Sequence, residues 1–144
     1  MGGDKLNKLP CAGVIVIDPT ETSVVLVETK KGNLSFPKGK RDKGEDIFTT
    51  ALRELEEETG IRKDMMEDID ASYWIDEMSK KGNPNIRYFI GRLKDEYIEH
   101  KFTFDPDELA VVTWYQFDKA FESEWLRDSR KTVLKTALEH EGLG

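Results

Sequence analysis

Three glutamates and an arginine, clustered between positions 53 and 58, are the residues of this sequence best suited to chemistry. Glu54, Glu57 and Glu58 stand at i, i+3 and i+4, a spacing that places three carboxylates on one side of a helix. Such carboxylates repel one another, and a hard divalent cation turns that repulsion into ligation. Arg53 can pair with Glu57 or with the earlier Glu45 and hold the carboxylates in place. The spacing therefore predicts a metal site, with a solvated acidic helix face as the alternative.

A helix over residues 46–59 must position these side chains. Its apolar residues repeat on one stripe at helical spacing: Ile47, Phe48, Ala51, Leu52 and Leu55. Gly60 follows as a C-terminal cap. Ahead of the helix, Gly39 permits a close backbone approach that a side chain would block, so the preceding carbonyl can reach a metal. The complete spacing with both glycines favours a site over a solvated face.

Strands come before, between and after two helices. The predicted strands are 12–17, 23–28, 34–36, 70–77, 86–93 and 109–117, and a second amphipathic helix is predicted over 129–140. This order predicts an α/β fold, more closely an α+β mixed sheet between helices. The length of 144 residues is typical of one domain, which we place at 1–144.

Composition limits the partners and the compartment. The net charge of −7 argues against attraction to nucleic acid, so a polyphosphate substrate needs a local basic patch or bridging metal ions. The longest apolar runs are too short to span a bilayer, and the first ten residues lack an apolar signal region, so we expect no membrane partner. The single cysteine, Cys11, fits a reducing, cytoplasmic setting.

Residues 39–61 read G-x5-E-x7-R-E-L-x-E-E-x-G-I, and this pattern resembles the Nudix box at every defined position. The resemblance implies an α/β/α sandwich and a hydrolase that cleaves nucleoside diphosphates linked to another group, or related pyrophosphates, with Mg²⁺ or Mn²⁺. It implies that Glu54, Glu57 and Glu58 are metal ligands, with the Gly39 backbone and Glu45 in support. Glu54, Glu57 and Arg53 are the implied catalytic residues, with Glu54 or Glu57 as general base.

The residues that flank the box bear on the substrate. The sequence Phe36-Pro37-Lys38-Gly39 resembles the diadenosine tetraphosphate hydrolase branch, and also the mRNA-decapping and diphosphoinositol polyphosphate branches. Substrate contacts are predicted for basic and aromatic residues in two segments: Lys38, Lys40, Arg41, Lys43, Arg87 and Tyr88. Glu108 is a further candidate metal ligand or base, because Nudix enzymes often carry an acidic loop residue at this place; a plain loop charge is the alternative.

Diadenosine tetraphosphate, cleaved to ATP and AMP, ranks first among the substrates. A diphosphoinositol polyphosphate ranks second, because residues 38–43 offer a dense basic cluster. Capped or triphosphorylated RNA ranks third, since the chain is acidic. A nucleotide-binding Nudix module without activity is the non-enzyme alternative, and the intact box argues against it. Either a monomer or a homodimer is expected.

Overall fold

The structure is a computed structural model, and it describes residues 9–144. The absence of a signal region was predicted from the first ten residues, of which positions 1–8 lie outside the described residues. Seven strands are present: β1 (Cys11–Ile17), β2 (Ser23–Thr29), β3 (Leu34–Ser35), β4 (Lys38–Lys40), β5 (Ile75–Met78), β6 (Pro84–Arg92) and β7 (Leu109–Gln116). Three α-helices accompany them: α1 (Ile47–Thr59), α2 (Phe117–Glu122) and α3 (Asp128–His140). Within residues 9–144 no helix combines the length and apolar character needed to cross a membrane.

The strands form one mixed sheet. Its main order is β3-β2-β1-β6-β5, with β4 paired to β1 and β7 paired to β2. Strands β1 and β6 run parallel, and the other pairings are antiparallel. The first half of β1 therefore lies between β4 and β6. This arrangement brings the short β4, which enters the glutamate-rich segment, to the middle of the fold.

Helices cover both faces of the sheet, which confirms the predicted mixed sheet with helices. Helix α1 packs on one face through Ala51 and Leu55, both without exposed surface. Helix α3 packs on the opposite face through Leu134 and Ala137. Strand β1 is buried on both faces, which explains its continuous apolar run.

Helix α1 begins and ends where its terminal residues dictate. The Asp46 carboxylate accepts a hydrogen bond from the Thr49 backbone N–H at 3.0 Å, which caps the first turn. Gly60 stops the helix with φ of 78°, and its N–H donates to the Glu56 carbonyl. These two caps fix the register of the helix, and so the direction in which each glutamate points.

Two sequence predictions need correction. The strand expected over residues 70–77 is confined to its second half, because the Asp70 carboxylate accepts the Ser72 backbone N–H at 2.9 Å and forms a turn. Strand β4 (Lys38–Lys40) is absent from the predicted strands, because its residues show no apolar alternation. Its pairing with β1, in the register Ala12 to Gly39, makes it a strand.

A buried polar network joins the sheet to α3. Glu77, 4% exposed, accepts hydrogen bonds from the Tyr88 hydroxyl at 2.8 Å, Arg130 Nε at 3.2 Å and Ser129 Oγ at 3.2 Å. Arg130 also donates to the Leu34 carbonyl at 3.0 Å. Because every member has a partner, the network avoids the cost of an unpaired buried charge. It fixes the amino end of α3 against β5.

Candidate active site

Arg53 is the centre of the acidic cluster. Its Nε and Nη2 donate to the two oxygens of Glu45 at 2.8 and 3.0 Å, and Nη2 also donates to the Lys40 carbonyl at 2.9 Å. Its Nη1 donates to Glu54 at 2.9 Å and to Glu57 at 3.2 Å. Both pairings predicted for Arg53 are therefore confirmed. One guanidinium ties the loop before α1 to two carboxylates of the helix.

Glu45 is the carboxylate that binds Arg53 from the loop before α1. Hydrogen bonds from Arg53 and from Thr50 lower the pKa of Glu45 to about 2. The Thr50 hydroxyl donates to Glu45 at 2.6 Å, and sequence reasoning missed this residue. The sequence feature that could have indicated Thr50 is a hydroxyl-bearing residue next to the apolar stripe of α1. In the structure Thr50 is fully buried. Glu45 thus stays ionised and anchors Arg53.

Glu54 lies directly against Gly39. A Cβ atom at Gly39 would come within 2.1 Å of the Glu54 carboxylate, so a side chain at this position would displace that carboxylate. Burial and the nearby Glu57 raise the pKa of Glu54, and Arg53 opposes the rise. A close approach at Gly39 is therefore present, and the group that approaches is a carboxylate; the predicted contact of the preceding carbonyl with a metal stays a prediction.

Glu58 lies in an environment that disfavours its ionised form. It accepts the Lys38 backbone N–H at 3.2 Å. Burial raises its pKa to about 7; Glu54 and Glu108 add to the rise, and Lys38 opposes it. The exposed Glu108 is therefore close enough for its charge to act on Glu58. A half-buried carboxylate with so little compensation favours an incoming cation.

The donors in this cluster fit Mg²⁺ or Mn²⁺ in kind. All are carboxylate or carbonyl oxygens, which hard cations prefer. Arg53 or Lys38 occupies one oxygen of Glu54, Glu57 and Glu58, and the second oxygen of each accepts no hydrogen bond from residues 9–144. In that same range no three His, Cys, Asp or Glu side chains are drawn together at ligating distance. The metal site therefore stays a prediction.

The raised pKa of Glu58 predicts that the effect of Mg²⁺ on the melting temperature depends on pH. The pKa lies above its ordinary value of 4.5, so the folded state holds the proton more tightly than the unfolded state. The stability contributed by protonated Glu58 is complete below pH 4.5 and is lost as pH rises through about 7. We expect Mg²⁺ to raise the melting temperature more at pH 8 than at pH 5. The difference corresponds to about 2 kcal/mol, discounted for partial exposure.

Glu58→Gln serves as the comparison in this measurement. It removes the buried charge, so metal-free Glu58→Gln should equal or exceed the metal-free wild type in melting temperature at pH 8. Its response to Mg²⁺ should be small at both pH values. Thermal melts in chelator and in Mg²⁺ provide the readout. An Mg²⁺ shift that is the same at pH 5 and pH 8, or that persists in the variant, contradicts the assignment.

Four basic residues lie in the segment that leads from β4 toward α1. Lys38 and Arg41 are half-buried, and Lys40 and Lys43 are exposed. Among the residues that the structure describes, none of the four side chains forms an ion pair or a hydrogen bond. The side chains of Lys38 and Lys40 alternate with Gly39 and so leave the sheet on the face opposite α1. The side chains of Lys38 and Lys40 therefore lie on the other side of the sheet from Glu54, while Arg41 lies beside Glu45 and Asp46.

Tyr88 and Arg87 lie apart from these basic residues. The predicted substrate contact of Tyr88 is wrong, and that of Arg87 stays a prediction. Tyr88 is fully buried, packs edge-on against Phe36, and donates its hydroxyl to Glu77. Arg87 is 8% exposed and makes two hydrogen bonds to Asp76 at 2.9 and 3.0 Å. It shares a sheet face with Gly39 and α1, opposite to Lys38. Core packing thus keeps Tyr88 away from the surface, and the Arg87 guanidinium is paired with Asp76.

One family model and several known proteins match this chain. The NUDIX domain model matches residues 7–136 of the 144. The "Methanol dehydrogenase activator" of Bacillus methanolicus is 43% identical over 140 residues, covering 78% of this chain and 76% of the relative. The "Bis(5'-nucleosyl)-tetraphosphatase [asymmetrical]" of Rattus norvegicus is 25% identical over 120 residues, covering 81% and 80%. The chain spans only 29% of another relative, the mRNA-decapping enzyme subunit 2 of Arabidopsis thaliana.

A solved structure shares the fold along almost the whole chain. The crystal structure of a C. elegans Ap4A hydrolase binary complex superposes with a TM-score of 0.78, at 18% identity. The match covers 92% of this chain and 98% of that one. The likeness confirms the expected α/β/α sandwich.

Proposed function

The chain belongs to the Nudix family, as a hydrolase of phosphoanhydride bonds, and from that premise we propose that it cleaves a nucleoside polyphosphate. The substrate proposed first is diadenosine tetraphosphate, hydrolysed to ATP and AMP in the presence of Mg²⁺. The observation that supports it is the carboxylate cluster held by Arg53. Four basic residues lie close to it in sequence, and their side chains form no ion pair within residues 9–144: Lys38, Lys40, Arg41 and Lys43. Tetraphosphate chains carry more negative charge than one metal ion neutralises, and these side chains supply the rest.

Each part of the site has a role in this proposal. Mg²⁺, when bound by the oxygens of Glu54, Glu57, Glu58 and the Gly39 region, supplies positive charge to the phosphate oxygens and lowers the pKa of water. Lys38 and the loop that follows it hold the phosphate chain. Arg53 fixes the carboxylates, and an oxygen of Glu54 or Glu57 takes the proton of the attacking water.

The bond changes follow from this placement. The water oxygen forms a bond to one phosphorus while the bridging P–O bond on the far side breaks in line. The proton lost by water resides on the glutamate and then passes to solvent. Two phosphate-bearing products leave, and the carboxylate returns to its ionised form. The charge of Glu108 adds to the raised pKa of Glu58, which supports Glu108 as a further acidic residue of the site.

A substrate panel in Mg²⁺ tests the proposal. It contains diadenosine tetraphosphate, diphosphoinositol pentakisphosphate, capped RNA, ADP-ribose and oxidised dGTP, with products resolved by chromatography. The expected result is ATP and AMP from diadenosine tetraphosphate at the highest kcat/KM. If another compound of the panel is cleaved with a higher kcat/KM, that compound replaces diadenosine tetraphosphate as the proposed substrate. A chain inert on the whole panel while it binds nucleotide supports the non-catalytic binding module.

A diphosphoinositol polyphosphate is the second candidate substrate. The specific observation in its favour is again the basic loop, because four cations within six positions suit a ligand with phosphates on several sides. The family resemblance of the Rattus norvegicus relative favours the nucleotide, since that protein is named a bis(5'-nucleosyl)-tetraphosphatase. The panel separates the two by product.

A further inference from the structure

The Thr50 hydroxyl is a buried partner of Glu45. Thr50 has no exposed surface, and its Oγ1 donates to Glu45 Oε1 at 2.6 Å and stands 3.2 Å from the Asp46 carbonyl. A hydroxyl has a single proton, and the shorter distance and the negative charge both favour the carboxylate as its acceptor. Thr50 therefore gives its proton to Glu45, although the helix backbone offers an alternative.

Thr50 differs from the other donors to Glu45 in the rigidity of its position. Oε1 of Glu45 also accepts the Asp42 backbone N–H at 3.2 Å and Arg53 Nη2 at 3.0 Å, and Oε2 accepts Arg53 Nε at 2.8 Å. Asp42 belongs to the exposed segment before α1, and Arg53 has a long side chain that Glu45 must itself hold in place. Within residues 9–144, Thr50 is the only fully buried donor to Glu45, so it fixes the carboxylate relative to the helix.

The position of Glu45 controls the plane of the Arg53 guanidinium. Thr50 and Arg53 stand three positions apart in α1, on the same side of successive turns, and both donate to Glu45. Two parallel hydrogen bonds to one carboxylate fix the orientation of the guanidinium. That orientation directs the remaining nitrogen, Nη1, to Glu54 at 2.9 Å and to Glu57 at 3.2 Å. A displacement of Glu45 therefore reaches both of these carboxylates.

We propose that Thr50 is a positioning residue of the active site, which acts on Glu54 and Glu57 through Glu45 and Arg53. Thr50 itself is fully buried, so it does not touch the substrate. Position 50 falls among the undefined positions of the pattern G-x5-E-x7-R, so the pattern gives Thr50 no role. This inference rests on the proposed hydrolysis for its kinetic measurements, and a metal-free spectroscopic measurement tests it independently.

Two substitutions separate the hydroxyl of Thr50 from its packing. Thr50→Val keeps the branched shape and the backbone N–H bond to the Asp46 carbonyl, but removes the donor to Glu45. Thr50→Ser keeps the hydroxyl and removes a buried methyl group, which should lower the melting temperature by about 3 °C. We expect kcat for diadenosine tetraphosphate to fall about 10-fold in Thr50→Val, with KM within about twofold of wild type. In Thr50→Ser, kcat should stay within about twofold of wild type despite the lower stability.

Thr49→Val is the matched control. Thr49 is the preceding residue of α1, is exposed, and donates its hydroxyl at 2.7 Å to Asp46, the residue that caps the helix. Wild-type kcat is expected for this variant. Wild-type kcat in Thr50→Val overturns the proposal, as does a kcat in Thr50→Ser or Thr49→Val as low as that of Thr50→Val.

A double-mutant cycle with Arg53→Lys tests the route of the effect. If Thr50 acts through Arg53, Thr50→Val should lower kcat by less than about twofold once Arg53 has been replaced. A further loss of about 10-fold in the Arg53→Lys background overturns the proposal, because Thr50 then affects kcat by a route other than Arg53.

Proton exchange at Arg53 Nε gives a readout that needs neither metal nor turnover. The hydrogen bond to Glu45 protects the Nε–H from exchange with water, and its NMR signal is assigned by its loss in Arg53→Lys. We expect exchange to be about 5-fold faster in Thr50→Val than in wild type, Thr50→Ser and Thr49→Val. This result supports the positioning role even where no member of the substrate panel is cleaved. Unchanged exchange in Thr50→Val overturns the proposal whether or not the enzyme is active.

Discussion

Glu57→Gln is expected to lower kcat for diadenosine tetraphosphate by about 10³-fold, within the range reported for loss of a positioned acid–base group. The amide keeps the shape of the side chain but accepts no proton and is a poorer ligand for a hard cation. The fold should survive, because the Glu57 side chain is 58% exposed and its one ion pair is to Arg53, which keeps both bonds to Glu45. Initial rates in Mg²⁺ and a thermal melt give the two readouts.

Glu56→Gln is the matched control for this variant. Glu56 is the preceding residue on α1, is exposed, and makes no side-chain ion pair or hydrogen bond within residues 9–144. It carries the same charge change on the same helix, so it removes one negative charge from the surface without touching the cluster. Near-wild-type kcat is expected. Full turnover by Glu57→Gln, or equal loss in both variants, would refute the assignment of Glu57.

The part of the site that lies on α1 could be predicted because its geometry is local. Helical periodicity fixes the relative directions of Arg53, Glu54 and Glu57 from their spacing alone. The caps at Asp46 and Gly60 are also readable from residue type, and the structure has the helix over Ile47–Thr59. Glu45 lies outside the helix, yet only eight positions from Arg53, so a long side chain bridges the distance. Local chemistry and short loops make such contacts foreseeable.

Arg87 and Tyr88 lie in a strand, where the side of the sheet that each side chain faces decides what it contacts. In an alternating strand one of two neighbours must face each side of the sheet, and the sequence Arg87-Tyr88-Phe89 does not reveal which. The answer depends on packing partners far away in sequence, namely Asp76 for Arg87 and Glu77 for Tyr88. A one-residue difference in register exchanges the two faces. Long-range pairing therefore had to be seen before substrate contacts could be assigned.

Arg53→Lys is expected to lower kcat by about 10²-fold while KM changes little, because misplacement of catalytic groups by about 1 Å costs this much. Arg53 donates to four groups at once: Glu45, Glu54, Glu57 and the Lys40 carbonyl. Lysine keeps the charge but presents a single point of donation in place of a planar fork. The carboxylates therefore lose their fixed positions although their charges remain partly compensated. Arg53 is a positioning residue in this account.

The ionisation of Glu45 distinguishes loss of positioning from general destabilisation. Arg53 holds the pKa of Glu45 near 2, so ionised Glu45 contributes stability above its ordinary pKa of 4.5, and this is lost as pH falls through about 2. In Arg53→Lys the pKa of Glu45, followed by carboxyl NMR, should rise toward 4.5, and acid unfolding should begin at higher pH. Arg62→Lys, which alters an exposed pair with Asp64, should change neither quantity nor kcat. A normal kcat in Arg53→Lys despite a raised pKa of Glu45 would show that the clamp stabilises the loop without positioning the catalytic glutamates.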